Sequence, residues 1–173
     1  MRILVFILIL ISSTFAGEIS FSNKDFSQIY QVICDSVICY LEDDTLINIS
    51  DYVFIISEAE NYDFPIFNQR YSPKQDTAAF DIDLFCTSFR SILDNKVYKK
   101  ISCKERKQYG NRVEFGASPL IFYEFYGQMY AKTYFEFTAI SRNGVGGSGW
   151  MFILKRKNHN WIIDNIHQLV SIN

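Results

Sequence analysis

The chain has 173 residues, 49% of them hydrophobic and 21% charged, with a formal net charge of −2. Such a composition excludes a disordered chain, and the length suits one domain. The slight acidity argues against a nucleic-acid binder, which sets a basic field against the phosphates.

Arg2, the unbroken apolar run Ile3 to Ile11 and then Ser12, Ser13 and Thr14 have the form of a secretory leader. Thr14-Phe15-Ala16 offers small residues at both positions that a signal peptidase reads, which predicts cleavage after Ala16. The expected division is a signal peptide over 1–16 and a single domain over 17–173. The apolar run is nine residues long, short of the roughly 18 that span a bilayer. The expected product is therefore secreted or periplasmic, with no stable membrane span after leader removal. Losing Arg2 takes the formal charge from −2 to −3.

Phe26, Ile29, Tyr30, Ile33, Val37 and Leu41 recur at helical spacing and predict a first amphipathic helix over 24–41. Ser22 with Asp25 three residues on resembles a capping box. Residues 46–57 are rich in Ile, Val, Phe and Tyr and read as a strand. Residues 61–76 hold Pro65 and Pro73 among polar residues and read as a surface loop. Ile82, Phe85, Cys86, Phe89, Ile92 and Leu93 predict a second amphipathic helix with Asp81 as N-cap. Residues 95–111 read as a basic connector.

From residue 112 to 172 the pattern is that of a β-meander. Residues 120–126 form a strand and Gly127-Gln128 a turn. Residues 129–140 form the longest strand. Its Met129, Ala131, Thr133, Phe135, Phe137 and Ala139 face the core by polarity, and Tyr130, Lys132, Tyr134, Glu136 and Thr138 face away. A Gly-rich loop, a strand over 150–154, a polar turn at Asn158-His159-Asn160 and a strand over 161–170 complete the chain. Apolar residues fill both phases of the last two strands, which predicts strands that lie mid-sheet or curve until both faces are covered.

Four cysteines, Cys34, Cys39, Cys86 and Cys103, leave three pairings open in an oxidising compartment. Helical spacing turns Cys34 and Cys39 about 140° apart and prevents a bond between them. Cys39–Cys103 is the pair freest to meet, and Cys34 and Cys86 read as reduced core residues. Their spacing does not suit structural zinc, and no metal or cofactor is expected.

Gly144-Val145-Gly146-Gly147-Ser148-Gly149 matches the dinucleotide-binding pattern by letter. The helix that must follow it is missing, so a hairpin loop is the expectation. His167 lies on the last strand, where alternation turns it away from Asp164. Glu124 and Glu136 stand on neighbouring strands and could form an acid–base pair if they faced each other; a solvated Glu136 beside Lys132 is the expected arrangement. Asn48-Ile49-Ser50 matches a glycosylation sequon. Tyr123, Tyr126, Tyr130 and Tyr134 are numerous enough to form an amphipathic contact surface. Catalytic residues are not assigned; Tyr130, Tyr134 and His167 are the ligand-site candidates.

The closing hairpin, residues 150–163 with the basic turn Lys155-Arg156-Lys157 and the Trp161-Ile162-Ile163 strand, resembles that of several small exported bacterial α+β families of uncharacterised function. It is also similar to the end of NTF2-like domains. That resemblance implies helices packed on a curved antiparallel sheet, and in enzymes of the type a cone-shaped cavity. The fold expected here is α+β, with two amphipathic helices on a twisted antiparallel sheet of about four to six strands. The expected core includes Phe26, Ile33, Val37, Phe85, Phe89, Phe135, Phe137, Trp150, Phe152 and Trp161. The expected function is that of an exported, non-catalytic protein binding an unknown protein or small ligand; the alternative is a small-molecule enzyme with an NTF2-like cavity.

Overall fold

A computed structural model describes residues 21–43, 49–58, 75–93, 97–99, 108–142 and 144–172. The expected leader, Asn48 of the sequon, positions 61–74 of the expected loop and Cys103 lie outside the described residues.

Helix α1 (Asn23–Asp43) starts where the capping box places it. The Ser22 backbone N–H donates to Asp25 Oδ2 at 2.9 Å, and the Asp25 N–H donates to Ser22 Oγ at 3.3 Å. Two N–H groups near the first turn are thereby satisfied reciprocally. Ile29, Tyr30, Ile33, Cys34, Val37, Ile38 and Leu41 bury one stripe of the helix. Helix α2 (Ile82–Ile92) is capped by the Asp81 carboxylate, which accepts from the Leu84 N–H at 2.9 Å. It buries Phe85, Cys86 and Phe89. Tyr30 joins the two helices: its ring meets Phe85 edge-on at 5.4 Å and its hydroxyl accepts from the Asp81 N–H.

The strands are β1 (Val53–Glu58), β2 (Gln75–Ala78), β3 (Val97–Lys99), β4 (Arg112–Ala117), β5 (Leu120–Phe125), β6 (Gln128–Ser141), β7 (Gly144–Lys157) and β8 (Asn160–Ile172). They form one eight-stranded sheet, more than the four to six expected. The sheet is mostly antiparallel, but β1 runs parallel to both β3 and β4. Strands β2 and β3 begin inside the stretches read as loop and connector. Both are short, so their alternation gives almost no sequence signal. A 3₁₀ turn at Ile49–Asp51 delays β1 to Val53.

Strands β4 and β5 are one bent strand along the same edge of β6. Ala117 faces Phe135 and Ile121 faces Lys132, so Ser118, Pro119 and Leu120 oppose only Thr133 and Tyr134. This is a β-bulge, placed where Pro119 has no N–H to offer the ladder. Ser118 secures it. Its N–H donates to the Tyr134 carbonyl at 3.0 Å, its Oγ accepts from the Tyr134 N–H at 2.9 Å, and its carbonyl accepts from Thr133 Oγ1 at 3.0 Å. The extra residue resets the side-chain phase. Val113, Phe115 and Ala117 before it and Leu120 and Phe122 after it all enter the same core.

Continuous with β4–β5, strands β6, β7 and β8 complete the meander expected over 112–172. The Gly-rich segment is not a loop: Gly144 to Gly149 are ladder residues of β7, paired to Ser141 through Glu136. Two of these glycines make close approaches possible. A Cβ on Gly147 would stand 2.5 Å from the Phe137 carbonyl oxygen, and one on Gly149 would collide with the Tyr134 hydroxyl. Among the described residues β8 pairs only with β7, which makes the last strand an edge rather than mid-sheet. Its register against β7 shifts at Asp164 and at Leu169, so the expected curvature is built from bulges.

Both helices pack on one face of the sheet, over Phe54, Phe115, Phe135, Phe137, Trp150 and Phe152. The expected core residues are buried, apart from Phe26, which is half-buried against the cluster.

Candidate functional site

The three ligand-site candidates fall on the sheet face opposite the helices, but the fold does not assemble them. Tyr134 lies in one row with Met151 and His167, and β7 separates it from His167 by roughly 10 Å, two strand spacings. Tyr130 lies four positions from Tyr134 along β6, where its ring stacks on Tyr123 at 5.4 Å. His167 is exposed on the edge strand. Asp164 is engaged elsewhere, accepting from Lys155 Nζ.

That second face departs from expectation in one respect. Polarity turns Lys132 and Tyr134 to solvent, yet each is only 1% exposed. Ile55, Ile121, Tyr123 and Met151 are buried on the same face. Burial lowers the Lys132 ammonium from 10.5 to about 8, because removing the cation from water favours the neutral amine. Burial, with the Glu136 carboxylate beside it, raises the Tyr134 hydroxyl to about 12. That hydroxyl donates to Glu136 Oε2 at 3.2 Å. Glu136 thus meets Tyr134 rather than Glu124. Glu124 faces Met129, seven positions along β6 from Glu136, or roughly 23 Å at strand rise. The acid–base pair does not form.

The cysteines divide as helical geometry requires. Cys34 and Cys86 are buried and Cys39 is exposed; Cys103, the expected partner of Cys39, lies outside the described residues. Burial raises the Cys34 thiol well above its ordinary range, which makes it a poor nucleophile. Among the described residues, no group of three or more His, Cys, Asp and Glu side chains is placed to hold a metal. An open cleft of about 390 Å³ between Asp51, Tyr109, Gly110 and Arg142 lies at the end of the sheet where β4 begins.

The opposite end gathers the structure's most distinctive polar and aromatic groups. The β7–β8 turn, Asn158-His159, has positive φ at both residues, the signature of a two-residue hairpin turn. Just inside it, Trp161 Nε1 donates to Asp25 Oδ1 at 3.0 Å, and the Arg156 guanidinium pairs with the same oxygen at 3.2 Å. Desolvation works to raise the buried Asp25 carboxyl. The Ser22 and Trp161 hydrogen bonds and the Arg156 charge outweigh it, and the net direction is downward. Gln28 adds a bond to Asn160, and Phe21 stacks on Phe122 at 3.7 Å. The start of α1 is thereby pinned to the final hairpin.

Beside this anchor is the β5–β6 turn, tied to it by Gln128 donating from Nε2 to the Arg156 carbonyl. The turn residues are Tyr126 and Gly127, with φ of 50° and 74°. Tyr126 is 94% exposed and Phe125 is 49% exposed, and the two rings meet edge-to-face at 4.4 Å. A tyrosine in the left-handed region costs roughly 1–2 kcal/mol, where Asn or Gly is the usual occupant. Folding does not offset that cost by burying the ring. The four-tyrosine surface therefore splits: Tyr134 and Tyr123 are buried, Tyr130 is half-buried, and Tyr126 alone is presented, with Phe125 beside it. Phe125 was not legible as a contact residue, since strand aromatics are ordinarily core.

Among known proteins, no family model, curated protein or solved structure matches this chain.

Proposed function

We propose that this is an exported, non-catalytic binding protein that meets its partner through the aromatic tip of the β5–β6 hairpin. Export follows from the leader-like residues 1–16. The observation that carries the binding reading is Tyr126: an almost fully exposed aromatic ring on a strained turn residue. Exposed aromatics are typical anchors of contact surfaces, because they bury much area with few rotatable bonds. The rigid hairpin behind them, fixed by Gln128 and by the Asp25 anchor, limits the ordering lost on binding.

The test is retention of envelope components on the immobilised protein, compared between the natural chain and Tyr126→Asn. Components retained by the former and lost by the latter are expected. An identical retained set from both supports no role for the tip.

One observation favours a second reading, a small-molecule enzyme with an NTF2-like cavity over the second sheet face. Lys132, with its amine shifted toward neutrality, stands two residues from Tyr134, which bonds Glu136. Turnover of a general ester or phosphate panel that Lys132→Met abolishes in folded protein would establish that reading in place of the first.

A further inference from the structure

From the same tip we infer the partner's chemistry, and this rests on the binding reading above: the hairpin end docks on a bilayer surface bearing anionic headgroups. Three features point that way. The aromatics stand on a projecting turn rather than in a groove or on a flat patch, so they suit insertion into a soft interface. Their chemistry is interfacial, since Phe125 is wholly apolar while Tyr126 combines an apolar ring with a hydroxyl that stays hydrated at headgroup depth. Cations flank them. Lys157 is exposed at the end of β7, one position beyond the Arg156 carbonyl that Gln128 holds. Lys24 is exposed one helical turn before Gln28, on the same face of α1, and Gln28 bonds Asn160 beyond the β7–β8 turn. Among the described residues, Lys155 and Arg156 at this end are committed to carboxylates, to Asp164 and Asp25. Half-exposed Glu124, next to Phe125, opposes the two lysines. Each lysine near an anionic surface strengthens attachment, and each loses effect as salt screens it.

The probe is a suspension of vesicles, either zwitterionic phosphatidylcholine alone or mixed with about one third phosphatidylglycerol. The protein is taken in the form in which it accumulates in the producing cell. Hydrogen exchange over residues 122–130 reads the tip itself, separately from any attachment through residues 1–16. The expected result is slowed exchange at the tip on the anionic vesicles, weaker on the zwitterionic ones and reversed by 0.5 M salt. Tyr126→Asn, whose turn suits Asn, should keep the fold and lower partition by about tenfold. Lys24→Gln with Lys157→Gln should remove the preference for anionic vesicles. Unchanged exchange at the tip on both vesicles overturns the lipid inference. If Tyr126 still governs retention of an envelope protein, the partner is that protein and the binding reading stands. If Tyr126→Asn alters neither measurement, both fall.

Discussion

The two faces of the sheet are buried by different kinds of side chain. On the helix side, Phe115 meets Phe54, Phe89 and Phe135 with ring centroids 5.7, 5.0 and 5.3 Å apart, an apolar cluster with no polar group to satisfy. On the other side, Lys132, Tyr134 and Glu136 alternate with Ile121, Tyr123 and Met151. One face is held by area removed from water, and the other is subject to the cost of desolvating charge. The difference predicts that the first face responds to volume and the second to pH.

The largest effect belongs to the apolar face. Phe135→Ala removes a ring that packs on Phe85, Phe115 and Phe152. It should cost about 3–5 kcal/mol by denaturant titration, with little dependence on pH. A loss below 1 kcal/mol would mean that this face does not organise the core.

Lys132→Met tests the second face. The folded chain lowers this amine from 10.5 to about 8, so between those values the unfolded chain holds more protons than the folded one. Stability therefore rises with pH across that window, and the burden is full below about pH 8. The natural chain should gain on the Met variant by at most about 3 kcal/mol from pH 8 to 10.5. Comparing the two proteins cancels the opposing contributions of Tyr30 and Tyr134, whose hydroxyls burial raises to about 12. A constant difference across the window would show that Lys132 is not desolvated.

Steric fit on the same face gives the next effect. Tyr134 lies over Gly149 so closely that a methyl there would meet its hydroxyl and ring. Gly149→Ala should cost about 1–3 kcal/mol by overpacking. Tyr134→Phe, which removes the closest atom, should recover part of that loss in a double-mutant cycle.

These two faces were not equally legible in the sequence. Helical spacing, the Ser22–Asp25 box, the Asp81 cap and the alternation of residues 129–139 located both helices and the core side of β6, because each is a local signal. The burial of Lys132 was illegible, since strand alternation separates two faces without saying whether the second is covered. The parallel strand β1 and the short β2 and β3 depend on distant pairing. The Ser118-Pro119 bulge hid the continuity of β4 with β5, and the glycines of β7 signalled a loop because clearance for Tyr134 and for the Phe137 carbonyl looks like flexibility in one dimension.

Asp25 is a buried carboxylate on the helix side, and it reverses the pH dependence. Its carboxyl is lowered from the ordinary 3.8, so its contribution is present above that value and is lost as pH falls through the folded one. Asp25→Asn keeps the shape but leaves the Arg156 guanidinium without its counter-charge. It should cost about 1–2 kcal/mol at pH 7, and the two proteins should converge in acid urea titrations. A difference unchanged down to pH 2 would show that Ser22 and Trp161 hold the side chain without help from its charge.

The smallest effect has the opposite sign and separates folding from contact. Tyr126 contributes almost nothing to either buried face, and its φ of 50° suits Asn better than an aromatic residue. Tyr126→Asn should therefore stabilise the protein by about 0.5–1 kcal/mol, raising the midpoint of thermal unfolding. The change loses the Phe125 edge contact, which is exposed and weak beside the turn strain it relieves. A destabilised variant would make Tyr126 a structural residue and withdraw its strain as an argument for a partner. A stabilised variant that binds less well would show that the natural chain keeps a less favourable turn for the sake of the ring it presents.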